Sequence, residues 1–276
     1  MRRIAAALAF AATLLAAPVV SQEPAQLAPS AATKNTEAFS EALANPSRMF
    51  DRRRDVWRHP AETLAFFDVE PGMTVVDYIP ATGWYTRVLV PYLGEEGRYI
   101  GVHPAGGQRK VDALYGAKHQ AFASAVSGWT LPGASIEAQR SDRLTRDLSG
   151  KVDRVLIMRE LHNLAAARLL DDELAAIRKA LKPDGMLGIE QHRAPADAGR
   201  DYDNGSHGYM REAQVIAAVE KAGFRLVAKS EINANPKDTA VHPNDVWSLP
   251  PVWRGRDPAM QAVGESDRMT LLFALR

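Results

Sequence analysis

The residues best placed to do chemistry in this 276-residue chain fall into two groups. His162, in MRELHN, and His192, in IEQHRA, each lie just past a run of β-branched and aliphatic residues, and Glu160 and Glu190 precede them by two. An imidazole titrates near neutral pH, so at the rim of a cavity it can take a proton from a substrate. His162 is expected to be that base, with Asn163 orienting it or the substrate. His192 is expected second, paired with Glu190 or Arg193. No H-x-x-x-H or H-E-x-x-H spacing accompanies them, so no metal is expected.

The second group is the turn Asp77-Tyr78-Ile79-Pro80-Ala81-Thr82-Gly83, continuing into Trp84 and Tyr85. A buried strand that ends in an acid and enters a glycine-rich turn is the frame of a nucleotide-type cofactor site. Glycines there allow positive φ and a close approach of backbone to ligand. Of an acid-x-Gly-x-Gly-x-Gly pattern only Gly83 survives; Ile79 and Ala81 take the other two places. An ordinary strand-to-helix turn is the competing reading. His103 ends the following strand, where an acid commonly binds ribose hydroxyls; a neutral imidazole offers a single such bond.

These residues need a scaffold that brings strand ends together. TVVDYI, GRYIGV, SIEAQRS, VDRVLIM, GMLGIEQ, RLVAKSEI and RMTLLFAL read as seven strands. Between them GWYTRVLVPYL, VDALYGAKHQAFASAV, AAARLLDDELAAIRKAL and REAQVIAAVEKAGF carry apolar residues at helical spacing, the third ended by Pro183-Asp184-Gly185. Strands alternating with helices imply right-handed crossovers and a mostly parallel sheet covered on both faces, an α/β Rossmann-like three-layer sandwich. In such a sheet ligands bind beyond the carboxyl ends of the strands, where both groups fall. The last two strands lack a crossover helix. The proline-rich segment 233–267 joins them as an irregular insertion, in which Trp247 and Trp253 form a lid or a staple. His207 and Tyr209 are candidates for acceptor contact, with a glycine-rich connector as the alternative.

Composition narrows the class. The 34 basic and 33 acidic residues give a net charge of +1, and no Lys/Arg block gives a footprint for nucleic acid, so no nucleic-acid partner is expected. The start MRRIAAALAFAATLLAAPVVSQ has a charged, apolar and small-residue order, read as a signal peptide over residues 1–21, with no membrane span after its cleavage. A flexible Ala/Pro/Ser/Thr leader is expected over 22–38 and the folded domain over 39–276. With no cysteine in the chain, a periplasmic or secreted location requires no disulfides.

HPAETLAFFDVEPGMTVVDYIPATGWYTRVLVPYL, DRVLIMRELHNL, LKPDGMLGIEQHRA and EAQVIAAVEKAGFRLVAKSEI together resemble a family of exported bacterial proteins read as methyltransferases. The resemblance runs from about Asn45 to the end, and Pro80, Gly83, Trp84 and Tyr85 match the family's turn while Ala81 and Thr82 do not. It implies the class I S-adenosylmethionine-dependent methyltransferase fold, with a C-terminal antiparallel strand. It also implies that cofactor, held at its methionine end by Asp77, Tyr78, Pro80, Ala81, Gly83, Trp84 and Tyr85, with His103 near the ribose and Asp142, in RSDRL, near the adenine. The activity implied is methyl transfer to a small acceptor. The alternative is a non-catalytic protein of the same fold that binds another small ligand or a partner protein.

Overall fold

In the computed structural model residues 36–276 are described. The signal segment 1–21 and most of the leader lie outside the described residues; the leader's last three residues, 36–38, open the first helix, α1 (Thr36–Ala44). Two short helices follow, α2 (Asp55–Arg58) and α3 (Pro60–Phe66). The chain then alternates: β1 (Thr74–Tyr78), α4 (Thr86–Leu93), β2 (Arg98–His103), α5 (Arg109–Ser127), β3 (Ser135–Arg140), α6 (Leu144–Asp147) and β4 (Val152–Met158). The second half runs α7 (Leu161–Ala166), α8 (Leu170–Ala180), β5 (Leu181–Ala194), β6 (Met210–Arg211), α9 (Glu212–Lys221), β7 (Phe224–Ser230), α10 (Pro258–Val263) and β8 (Arg268–Leu275).

The seven expected strands form one sheet in the order β3-β2-β1-β4-β5-β8-β7, and two-residue β6 pairs with β5 outside that path. All neighbours pair parallel except β8, which runs antiparallel to both β5 and β7. The β-branched runs explain the centre: alternate residues of β1 point to opposite faces, and both faces are covered. Val75 packs with Leu64 of α3, with Phe67 just after it and with Val88 and Leu89 of α4, while Val76 packs with Leu174 and Ile177 of α8. Each such fully buried aliphatic side chain contributes roughly 1.5–3 kcal/mol, so the strand ends are held on a rigid base.

Two local readings change. The single helix expected over 165–181 is two, because Arg168 takes a left-handed φ of 58° between α7 and α8. Pro183-Asp184-Gly185 does not end a helix but sits in the irregular start of β5, where the register against β4 shifts. The 233–267 segment is fastened to the fold: Asn233 donates to Thr63 and Thr270, and Asn235 to the carbonyls of Val263 and Glu265. Buried amides bonded in this way tie the insertion to the sheet edge.

Candidate functional site

The turn after β1 keeps a glycine-turn backbone where two glycines are missing. Ile79, Ala81 and Gly83 have φ of 58°, 51° and 75°. A left-handed conformation costs a non-glycine residue about 1–2 kcal/mol, more for a β-branched one such as Ile79. The hydrogen bonds Ile79 N to Val102 O at 2.7 Å and Gly83 N to Pro80 O at 2.8 Å hold the curve. Among the described residues no protein acceptor takes the N–H groups of Ala81 and Thr82, and both residues line a cavity of about 390 Å³. That volume is in the range of small-molecule sites.

At the turn, the cavity is acidic. Asp77, at the end of β1, is 2% exposed and accepts from Tyr99 Oη at 2.8 Å. Burial pushes its carboxyl up to about 6, with the Tyr99 bond and Arg159 opposing. Glu160, just past β4, is pushed up to about 7, again chiefly by burial, while Asn163 Nδ2 donates to its Oε2 at 2.6 Å. Asn163 thus serves Glu160 and does not orient His162.

His162 and His192 face the cavity from the ends of β4 and β5, their ring centroids 5.5 Å apart. His162 is 4% exposed; its Nδ1 lies 3.3 Å from Gln191 Oε1 and burial lowers its pKa to about 4. His192 is also lowered well below its ordinary value, by burial and then by His162. Both are therefore neutral at neutral pH, free to accept a proton but weak in doing so. His192 Nδ1 meets Ser266 Oγ at 2.5 Å, not Glu190 or Arg193. Glu190 instead takes Arg159 Nη1 at 2.7 Å, and Arg193 bonds Asp267, Glu212 and Glu231.

Arg159 is the third left-handed non-glycine residue at this rim, with φ of 63°. Its N–H donates to the Glu190 carbonyl at 2.6 Å, and its guanidinium lies over the Tyr85 ring, 5.7 Å from the centroid. Non-glycine residues in such conformations collect at binding and catalytic sites, where the surrounding fold over-determines them.

Of the residues expected to bind a cofactor, Asp77, Pro80, Ala81, Trp84 and Tyr85 line the cavity, together with His162, Asn163 and His192. The structure sets four others apart from it. The Tyr78 hydroxyl donates to Glu173 on the far face of the sheet. Gly83 lies under Trp129: a Cβ there would sit 2.2 Å from the indole Cη2, so the glycine is needed for packing. His103 is buried beside His119 and Phe122, with both ring centroids 5.9 Å away, and burial lowers it to about 4. Asp142 is exposed in the turn after β3. His207 bonds Asp245 and Tyr209 bonds Asp238, so both fasten the insertion; Trp247 lines the cavity and Trp253 does not.

Sequence reasoning did not find Arg54, Arg58 and Glu265, which line the same cavity. The i, i+4 spacing of the two arginines in DRRRDVWRHP was the available signal. Among the described residues no group of three His, Asp or Glu is placed to hold a metal ion, and no helix is long and apolar enough to cross a membrane.

No protein-family model and no curated protein matches the chain. Solved structures do. A chain of the complex between the Haloferax volcanii Trm112 methyltransferase activator and a candidate methyltransferase is 18% identical with a TM-score of 0.50, over 87% of this chain and 97% of that one. A SAM dependent methyltransferase from Aquifex aeolicus is 21% identical with a TM-score of 0.45, over 75% of this chain and 94% of that one. The [4+2]-cyclase SpnF is 13% identical with a TM-score of 0.46, over 78% and 79%. At these identities the likeness is one of architecture. Together with the strand order and the antiparallel β8, it gives this chain the class I methyltransferase fold.

Proposed function

We propose that the protein is an S-adenosylmethionine-dependent methyltransferase acting on a small molecule. The observation that carries this reading is the turn after β1, which accepts strain at Ile79 and Ala81 to keep a glycine-turn path beside a cavity. The residues fit the cofactor's methionine end. The open N–H groups of Ala81 and Thr82 suit its carboxylate, and Asp77 and Glu160 suit its positive charges. When bound, the cofactor supplies an electrophilic methyl group, and the protein's part is chiefly alignment.

Glu160 is the better base in this reading. Its pKa of about 7 matches neutral operation, whereas that of His162 is about 4. Asn163 occupies Oε2, which leaves Oε1 for the acceptor's proton. His162 and His192 then flank and orient the acceptor. Calorimetric titration of the purified protein with S-adenosylhomocysteine tests the cofactor, and saturable binding is the expected outcome.

A second reading, a protein of this fold that holds another small ligand, draws on His103 and Trp129. They fill with packed side chains the places where ribose and the turn's last glycine would meet a cofactor. Export to the periplasm is also proposed, on residues 1–21. Sequencing the N-terminus of protein recovered outside the cytosol should find a start near Gln22, and an intact Met1 there would refute cleavage.

A further inference from the structure

The end of the cavity at Trp84 and Tyr85 gathers arginines. Arg54 Nε donates to Glu265 at 2.7 Å, Arg58 Nε to the same carboxylate at 2.9 Å, and Arg268 Nη1 at 2.8 Å. Arg159 bonds Glu190, whose other oxygen is a 2.9 Å charge contact of Arg268 Nε. Four guanidiniums thus share the carboxylates of Glu265 and Glu190, with Asp77 and Glu160 also acting on Arg159. The Arg58 side chain is 5% exposed and stacks on Trp84 at 4.6 Å. Its bonds to Glu265 run through Nε, and among the described residues no acceptor takes its terminal nitrogens. Arg54 Nη2 is buried without a partner, and burial pulls the Arg54 pKa below its ordinary value. Both arginines are paired with Glu265, but they keep donor N–H groups with no acceptor, and a buried donor without one is unfavourable. The facing wall is apolar, with Trp247, Leu249 and Val252.

We propose that this end binds the carboxylate of the methyl acceptor, a small molecule whose flat apolar body lies along Trp247 and Leu249. The proposal rests on the reading of the cavity as an acceptor site. The planar guanidinium fork matches a carboxylate, and an aromatic wall matches an apolar body. The cofactor's own carboxylate is served by the turn amides instead. The arginines, separated from Glu265 by about two hundred residues of chain, complete a second anion site.

Benzoate and its neutral counterpart benzamide serve as probes, titrated calorimetrically into the full-length protein with and without saturating S-adenosylhomocysteine. Benzoate is expected to bind saturably and at least roughly tenfold more tightly than benzamide. Its affinity is expected to hold within about threefold when S-adenosylhomocysteine is present, since in this proposal the turn amides and not the arginines take that ligand's carboxylate. Arg58→Met, which keeps an apolar stem over Trp84, should lose roughly tenfold in benzoate affinity, with Arg54→Gln as the second variant should the first fail to fold. Equal affinity for benzamide, or no benzoate binding, overturns the proposal. Displacement of benzoate by S-adenosylhomocysteine also overturns it, because the arginines would then hold the cofactor. Benzoate binding without any S-adenosylhomocysteine binding leaves the anion site standing and removes the methyltransferase reading.

Discussion

Replacing Asp77 by asparagine should stabilise the protein at neutral pH, and the gain should disappear in acid. Asp77 is 2% exposed, and its carboxyl is raised from 3.8 to about 6, chiefly by burial. Between those values the folded protein binds more protons than the unfolded chain, so stability falls as pH rises through the window. Above about pH 6 the full penalty stands. About 2 pKa units correspond to at most ~3 kcal/mol. The asparagine side chain carries no charge, and its amide oxygen can still accept from Tyr99 Oη, which lies 2.8 Å from the present carboxylate. Urea melts of both proteins should therefore differ by up to ~3 kcal/mol near pH 7.5, by about half that near pH 5, and by nothing below about pH 3.5. A variant less stable than the parent at pH 7.5, or a difference independent of pH, would refute burial as the cause of the raised carboxyl.

Three further outcomes follow from the same geometry. Gly83→Ala adds a methyl group 2.2 Å from the Trp129 indole at a φ of 75° and should lose roughly 2–4 kcal/mol in a urea melt; an unchanged midpoint would show that Trp129 does not cover the turn. S-adenosylmethionine binding near pH 6.5 should release protons, because its positive charges favour the ionised forms of Asp77 and Glu160, which sit at about 6 and about 7. Calorimetry in buffers of different ionisation heat reads that release, and identical heats would contradict it. Tyr209→Phe removes the hydroxyl bond to Asp238, 3.0 Å, and should cost about 1–2 kcal/mol and speed proteolysis within 233–267; equal cleavage rates would mean the insertion is held elsewhere.

The architecture was legible because its signals are local. Val75-Val76 and Val155-Leu156-Ile157 are runs that only a doubly covered sheet buries, and the helices between them carry one apolar face. The β1 turn was half legible. Sequence located Asp77 through Tyr85, but Ile79 and Ala81 hide a left-handed backbone that only Gly83 advertises. Gly83 has a second reason that the sequence does not show, its packing under Trp129 far along the chain. The histidine pair was found from strand ends, yet its partners were not. Ser266 reaches His192 and Glu265 reaches Arg58 across more than 70 and 200 residues, contacts that no spacing rule encodes. Glu160 was noticed at the rim. Its suitability as a base depends on burial, which emerges only when β4 and α7 close around it.

The central claim is that the strained turn after β1 holds a sulfonium-type nucleoside cofactor, and calorimetric titration of the purified protein with S-adenosylhomocysteine tests it most directly. Saturable heat at about one site per chain, with a matching rise in melting temperature, is the predicted result. No heat and no thermal shift at millimolar ligand would contradict it.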